Sequence, residues 1–145
     1  MAHGLFLQED IEKLWETAEI KPMVNQVLCH ISNSPLELID YCQKKGMAME
    51  AYSPVAHGEA LKNKAIGDMA EKYGVTIPQL CIRFDIQLGM IVLPKTANPE
   101  HMKVNGDVDF IFFARRLPPL RWGMNGGSPN LRKQLMANKW HICYN

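Results

Sequence analysis

Apolar positions fall at Ile11, Leu14, Trp15 and Ala18 among Glu and Lys. This three-and-four spacing predicts a surface helix over Gln8–Glu19 with one apolar stripe, and Pro22 ends it. Met23–Leu28 is short, mostly apolar and flanked by breakers, which predicts a strand buried on both faces. Ser34, Pro35 and Glu37 have the spacing of an N-cap, a first-turn proline and a capping box, ahead of a helix carrying Leu38, Ile39 and Cys42 and stopping at Gly46. Met47–Tyr52 then reads as a second strand, broken by Ser53-Pro54.

Beyond a loop containing His57-Gly58, the stripe Leu61, Ala65, Ile66, Met69, Ala70 and Tyr73 predicts one helix closed by Gly74. Thr76 and Gln79 form a second capping box before Leu80, Cys81, Phe84 and Leu88. Gly89 introduces Met90–Leu93, the most apolar strand, and Pro94-Lys95-Thr96 leads into a short helix capped by Asn98. Strands separated by helices of this length predict right-handed βαβ units and a parallel sheet with helices packed outside it. Ligand sites in such folds lie at the carboxyl ends of strands, in closed barrels and in open doubly wound sheets alike.

Polar groups stand at those ends. Asn25-Gln26 interrupts the first strand, Tyr52-Ser53 closes the second and Lys95-Thr96 follows the third. An amide such as Gln26 can donate to and accept from a flat carboxamide, and a tyrosine face can stack on an aromatic ring. Lys95, Thr96 and the start of the next helix offer a cation, a hydroxyl and backbone N–H groups to a phosphate. Taken singly, each has a plainer reading: a satisfied strand amide, a packing tyrosine, a solvated turn. Neither GxGxxG nor GxxxxGK[ST] occurs, so the common glycine-rich phosphate loops are excluded.

Charge is unevenly distributed. The total is +1, yet all fifteen acidic residues lie at or before Asp109, while residues 110–145 hold six bases and no acid. With 47% apolar and 21% charged residues the composition is that of a folded domain rather than a disordered chain. No apolar run reaches the roughly 20 residues of a membrane span, and no secretory leader pattern opens the chain, so a cytoplasmic location and no membrane partner are expected. Cys29, Cys42, Cys81 and Cys143 contain no CxxC pair and are expected to be reduced structural thiols. At 145 residues, any barrel is partial, since a complete one takes about 250.

The segments KPMVNQVLCH, DYCQKKGMAMEAYSP, AEKYGVTIPQLCIRFDIQLGMIVLPKTANPEHMKVN and DVDF resemble, in that order, the carboxyl-terminal half of the aldo-keto reductases, especially bacterial reductases of small carbonyl and keto-acid substrates. LPKTANPEH is the most specific piece. The resemblance implies an α/β fold, the carboxyl-terminal half of a (β/α)8 TIM barrel with parallel strands, over residues 1–109. It implies NADPH as cofactor and a small aldehyde or ketone as substrate. Carried over by position, Gln26 binds the nicotinamide carboxamide with Asn25 beside it, Tyr52 stacks on the ring, and Ser53 and its loop meet the pyrophosphate. Lys95 and Thr96 hold the 2′-phosphate, His101 stands where arginine is usual, and Asn105 reaches the adenine.

Departures from the family pattern bear on the same site. His101 is a weaker, pH-dependent cation than arginine, Val104 removes an adenine contact, and Gly4 and Leu5 replace a Ser and Asn that also bind the carboxamide. The family's catalytic tyrosine, lysine, aspartate and histidine belong to strands upstream of anything in this chain. The chain alone is therefore expected to be inactive, with no catalytic residue assigned and His3, His30 and His57 read as structural or loop residues. Unpaired edges of a broken barrel invite self-association or a complementing half-barrel. Residues 110–145 do not resemble the family and are expected to be a poorly ordered basic tail, arising from an altered reading frame or a recombined gene end. The functional alternative for that tail is nucleic-acid binding through Arg115, Arg116, Arg121, Trp122, Arg132, Lys133 and Lys139. No metal site is expected, because His141 and Cys143 lack partners at usable spacing.

Overall fold

The computed structural model describes residues 6–111. Gly4, Leu5, the basic tail and Cys143 lie outside the described residues. Three parallel strands, β1 (Val24–Leu28), β2 (Ala48–Tyr52) and β3 (Ile91–Leu93), form one sheet in the order β1-β2-β3. The register sets Gln26 opposite Glu50 and Leu28 opposite Tyr52, and continues from Tyr52 to Leu93. Helices α1 (Gln8–Thr17), α2 (Leu36–Lys44), α3 (Glu59–Lys62), α4 (Lys64–Lys72), α5 (Ile77–Gln87) and α6 (Pro99–Gly106) complete the described chain. Strand order follows chain order, as successive βα units of a barrel require.

The core lies on one side of this sheet. Val27 and Met49 pack with Ile11 of α1 and with Ile39 and Cys42 of α2. Ile66 and Ala70 of α4 meet Leu80, Cys81 and Phe84 of α5, and Val92 packs against Ile82 and Val108. The opposite side is bare. Burial alternates along β1, with Val24 and Gln26 exposed and Asn25 and Val27 buried. The expectation of a strand buried on both faces is therefore corrected: nothing among the described residues covers the face bearing Val24, Gln26, Glu50 and Tyr52.

Local chemistry explains where the elements begin and end. The Thr76–Gln79 capping box forms as expected, with the Gln79 amide N–H donating to the Thr76 hydroxyl and the Gln79 side chain accepting from the Thr76 N–H. Asn98 caps α6 by accepting from the Glu100 N–H, and Pro99 occupies the first turn. The Ser34 box does not form: its hydroxyl donates to the His30 carbonyl at 3.0 Å, closing a turn instead, and α2 starts at Leu36. The single helix expected from Leu61 to Tyr73 is two, because Asn63 accepts from the Ala65 and Ile66 N–H groups and starts α4 afresh. Cys29, Cys42 and Cys81 are buried free thiols, as expected. Among the described residues no helix is long and apolar enough to cross a membrane.

Candidate functional site

The bare face of the sheet and the loops at its carboxyl edge carry most of the residues singled out above. Gln26 points from β1 onto this face, where its amide donates to the Glu50 carboxylate at 3.3 Å. That bond is long and exposed, so an incoming amide can replace it at little cost. Tyr52 lies on the same face at the end of β2, half-buried, diagonal to Gln26 in the register. A flat ring bearing a carboxamide could rest on Tyr52 and pair with Gln26. Asn25 points the other way, as alternation in a strand demands. It is 2% exposed, and its amide donates to the Phe6 carbonyl at 3.1 Å and to the Cys42 sulfur, while its own carbonyl oxygen has no partner. Asn25 and Gln26 thus do not converge on one ligand contact in this arrangement.

After β2 the backbone takes an uncommon path. Ser53, Ala56 and His57 all have positive φ, at 53°, 50° and 52°. Each such non-glycine residue costs on the order of 1–3 kcal/mol and persists only where its surroundings impose it. Hydrogen bonds from the Ala56 N–H to the Ser53 carbonyl and from the Gly58 N–H to the Val55 carbonyl hold the turn. The Ser53 hydroxyl lies 3.2 Å from Nε2 of His57. An open cavity of about 320 Å³ adjoins this loop, with His30 and Ser32 on one side and Glu59, Lys62 and Asn63 on the other.

Past β3, Lys95 is exposed and takes part in no ion pair among the described residues. Thr96 is half-buried and its hydroxyl accepts from the Asn98 N–H at 3.2 Å, leaving its own proton free to donate. His101 is exposed on α6, whereas Asn105 is buried in the same helix. Lys95, Thr96 and His101 are therefore available to an anion approaching from the carboxyl edge.

Titratable groups behind this edge are tuned by burial. Nδ1 of His30 accepts from the Ser32 N–H at 3.3 Å, and burial, followed by the charge of His57, holds this imidazole below its ordinary value. Asp85 of α5 has no exposed surface, and burial raises its carboxyl well above the usual range. Cys29 lies near enough for this carboxyl to hold its thiol protonated beyond what burial does, and Cys81 is pushed up to about 12 by burial and then by Asp85. Neither Asp85 oxygen gains a hydrogen bond of ordinary geometry. The sequence does signal Asp85, since it interrupts the apolar run Leu80, Cys81, Phe84 and Leu88. His57 was legible only as a loop residue, because positive φ at three non-glycine positions has no local pattern.

The model of the Aldo/keto reductase family matches residues 6–109. Over 98 residues the chain is 41% identical to the uncharacterized oxidoreductase YtbE of Bacillus subtilis, covering 68% of this chain and 35% of that protein. It is 38% identical over 103 residues to glyoxal reductase of the same organism, covering 71% of this chain and 37% of that one. Among solved structures, MGS-M4, an aldo-keto reductase from a Medee basin deep-sea metagenome library, superposes with a TM-score of 0.70 at 37% identity, over 75% of this chain and 42% of its own. A variant of Gox0644 in complex with NADPH gives 0.70 at 33% identity, over 75% and 41%. The chain spans little more than a third of the length of these curated relatives.

Proposed function

Because the chain belongs to the aldo/keto reductase family, we propose that it is the nucleotide-holding side of an NADPH-dependent reductase of small aldehydes and ketones, able to hold the cofactor without turning over substrate by itself. The observation that carries this reading is one continuous surface: Gln26 in mid-strand and Tyr52 at a strand end on the bare face, Ser53 after the central strand, and Lys95 and Thr96 after β3. Gln26 fixes the carboxamide, Tyr52 supports the ring, and Ser53 with its loop meets the pyrophosphate. Lys95, Thr96 and His101 take the 2′-phosphate, and Asn105 lies toward the adenine. Asn25 supports this arrangement from behind, through its bonds to Phe6 and Cys42. When bound, the nicotinamide supplies the hydride to a carbonyl carbon.

Protonation of the carbonyl oxygen needs a donor set beside that ring. At the described strand ends the imidazoles are engaged, His30 with Ser32 and His57 with Ser53. No proton donor is therefore assigned, and binding without reduction is expected. Titrating the full chain with NADPH while following nicotinamide fluorescence tests the reading. Saturable binding without NADPH oxidation by glyoxal or methylglyoxal supports it; an unsaturable signal, or oxidation at rates normal for reductases, overturns it.

A second reading is favoured by the outer edges of β1 and β3, unpaired among the described residues, and by the face that none of them covers. Here the chain acts with a complementing half-barrel or a second copy that supplies the other wall of the site. Parallel sheets are normally covered on both faces, so the exposed surface has a physical reason to be occupied.

A further inference from the structure

We propose that the bare face of the sheet is covered by residues 112–145 of the same chain, with one of their cations set on the Glu50 carboxylate. The contact needs no nucleotide, and it shields Gln26 and Tyr52 until the segment is displaced.

Glu50 is the reason this face calls for a cation. The register sets it opposite Gln26 of β1 and opposite Ile91 of β3, so it stands in the middle of the sheet. Alternation along the strands places Val24, Leu28, Ala48, Ile91 and Leu93 on the same face, none of them polar. Glu50 is therefore the one charged strand residue there. Its carboxylate accepts the long Gln26 amide bond at 3.3 Å and joins no ion pair among the described residues. An apolar cover over this face also buries Glu50, and a buried carboxylate is stable only beside a cation that hydrogen-bonds to it. The cover is accordingly apolar with at least one basic side chain. This face of a second copy does not meet that description, since it brings another Glu50 and no cation.

The chain itself carries a segment that does. Fifteen acids and ten bases lie at or before Asp109, a net of −5, whereas residues 112–145 hold six bases and no acid, with Phe112, Phe113, Leu117, Leu120 and Trp122 among them. The point from which this segment departs is fixed beside an outer strand of the sheet. Val108 packs against Val92 of β3, with Phe110 on the same cluster, and Arg83 and Gln79 of α5 donate to the Val108 and Asp107 carbonyls at 3.1 and 2.7 Å. In the order β1-β2-β3 the edge to be rounded is that of β3, the strand next to which the chain leaves the described residues. Packed layers lie about 10 Å apart and an extended residue covers about 3.3 Å, so rounding that edge takes roughly three to six residues. Ile111 is followed by 34. The covalent tether gives the segment an effective concentration on the order of millimolar, which a separate chain at micromolar concentration does not match.

Carboxyl labelling of the full chain with a carbodiimide and glycinamide, read by mass spectrometry, tests the cover. The comparison is a full-length variant combining R115Q, R116Q, R121Q, R132Q, K133Q and K139Q. Glu50 is expected to label about tenfold more slowly in the parent, the protection that a millimolar effective concentration gives a contact of about 0.1 mM affinity. That ratio should hold over a hundredfold range of protein concentration, and Glu37 and Glu71, on helices of the packed side, should label alike in both proteins. Equal labelling of Glu50 in the two proteins overturns the proposal. Protection that grows with concentration also overturns it and assigns the cover to a second copy, and protection shared by Glu37 and Glu71 reduces it to diffuse attraction. Trypsin reads the same contact from the other side. Glu50→Lys, at this half-buried position, should speed cleavage after the bases of residues 112–145 about tenfold and leave cleavage within residues 6–111 unchanged. Unaltered cleavage of the segment overturns the proposal. Neither measurement contains a nucleotide, so a failed NADPH titration leaves the cover standing, and a failed cover leaves the nucleotide reading standing.

Discussion

Asp85 sits on α5 with no exposed surface, near the Cys29 and Cys81 thiols, and neither of its carboxyl oxygens has a hydrogen bond of ordinary geometry. Its folded-state value is raised above the unfolded one near 3.8. Its stabilising contribution is therefore complete below that unfolded value and is lost as pH rises through the folded one. The protein should resist urea better at pH 5 than at pH 8 on this account. Asp85→Asn cannot ionise, so it is expected to gain about 1–3 kcal/mol over the parent at pH 8 and little at pH 5. Urea unfolding at the two pH values checks this, and equal pH slopes for the two proteins would refute it. Lys95 gives the opposite kind of prediction, because it is exposed and contributes little to the fold. Lys95→Ala should weaken NADPH roughly tenfold, leave NADH unchanged and leave the thermal midpoint in place. Parallel fluorescence titrations and a melt decide it.

Elements start where side chains satisfy backbone groups, and Gln79 does this twice over. It completes the cap of α5 with Thr76, and its amide also donates to the Asp107 carbonyl at 2.7 Å, tying α5 to the segment after α6. Gln79→Ala removes both and should cost about 1–3 kcal/mol, against about 1 for Thr76→Ala. Chemical denaturation of the two variants compares them. The Thr76 box was legible because both partners lie within four residues and nothing competes for them. Ser34 had the same spelling, yet its hydroxyl found the His30 carbonyl, a partner supplied by the chain's turn after β1. Asn63 hid inside an apolar stripe continuous enough to pass for one helix. The order of strands and helices was readable because each apolar run ends in a proline, glycine or cap. The uncovered face of β1 was not, since Val24 and Leu28 are the residues a doubly buried strand would carry. The residues at the carboxyl edge were legible one by one. What could not be read was which of them share a face, a matter decided by register and by the left-handed turn at Ser53.

Across the described residues, one side of the sheet is packed and the other presents Val24, Gln26, Glu50 and Tyr52 between two edges that no described strand pairs. Val24 is 48% and Met23 74% exposed, beside the outer edge of β1. Concentration-dependent association is expected, and Val24→Lys should shift it toward monomer with a change in stability below about 1 kcal/mol. Sedimentation velocity over a hundredfold range of concentration measures this; identical profiles for both proteins would remove β1 from the interface. The plain strand order also dictates a timetable. Joining β1 to β2 closes a loop of 24 residues, from Val24 to Ala48, and aligns five residue pairs, whereas joining β2 to β3 spans 41, from Glu50 to Ile91, and aligns three. Closing the longer loop costs about 0.5 kcal/mol more in chain entropy and returns fewer ladder bonds. The β1-α2-β2 unit should therefore assemble first and exchange its amide hydrogens last, with β3 and the Lys95-Thr96 turn arriving after it. A ribosome releasing this chain would let out a finished unit of strand, helix and strand before Lys95 and Thr96 had been made.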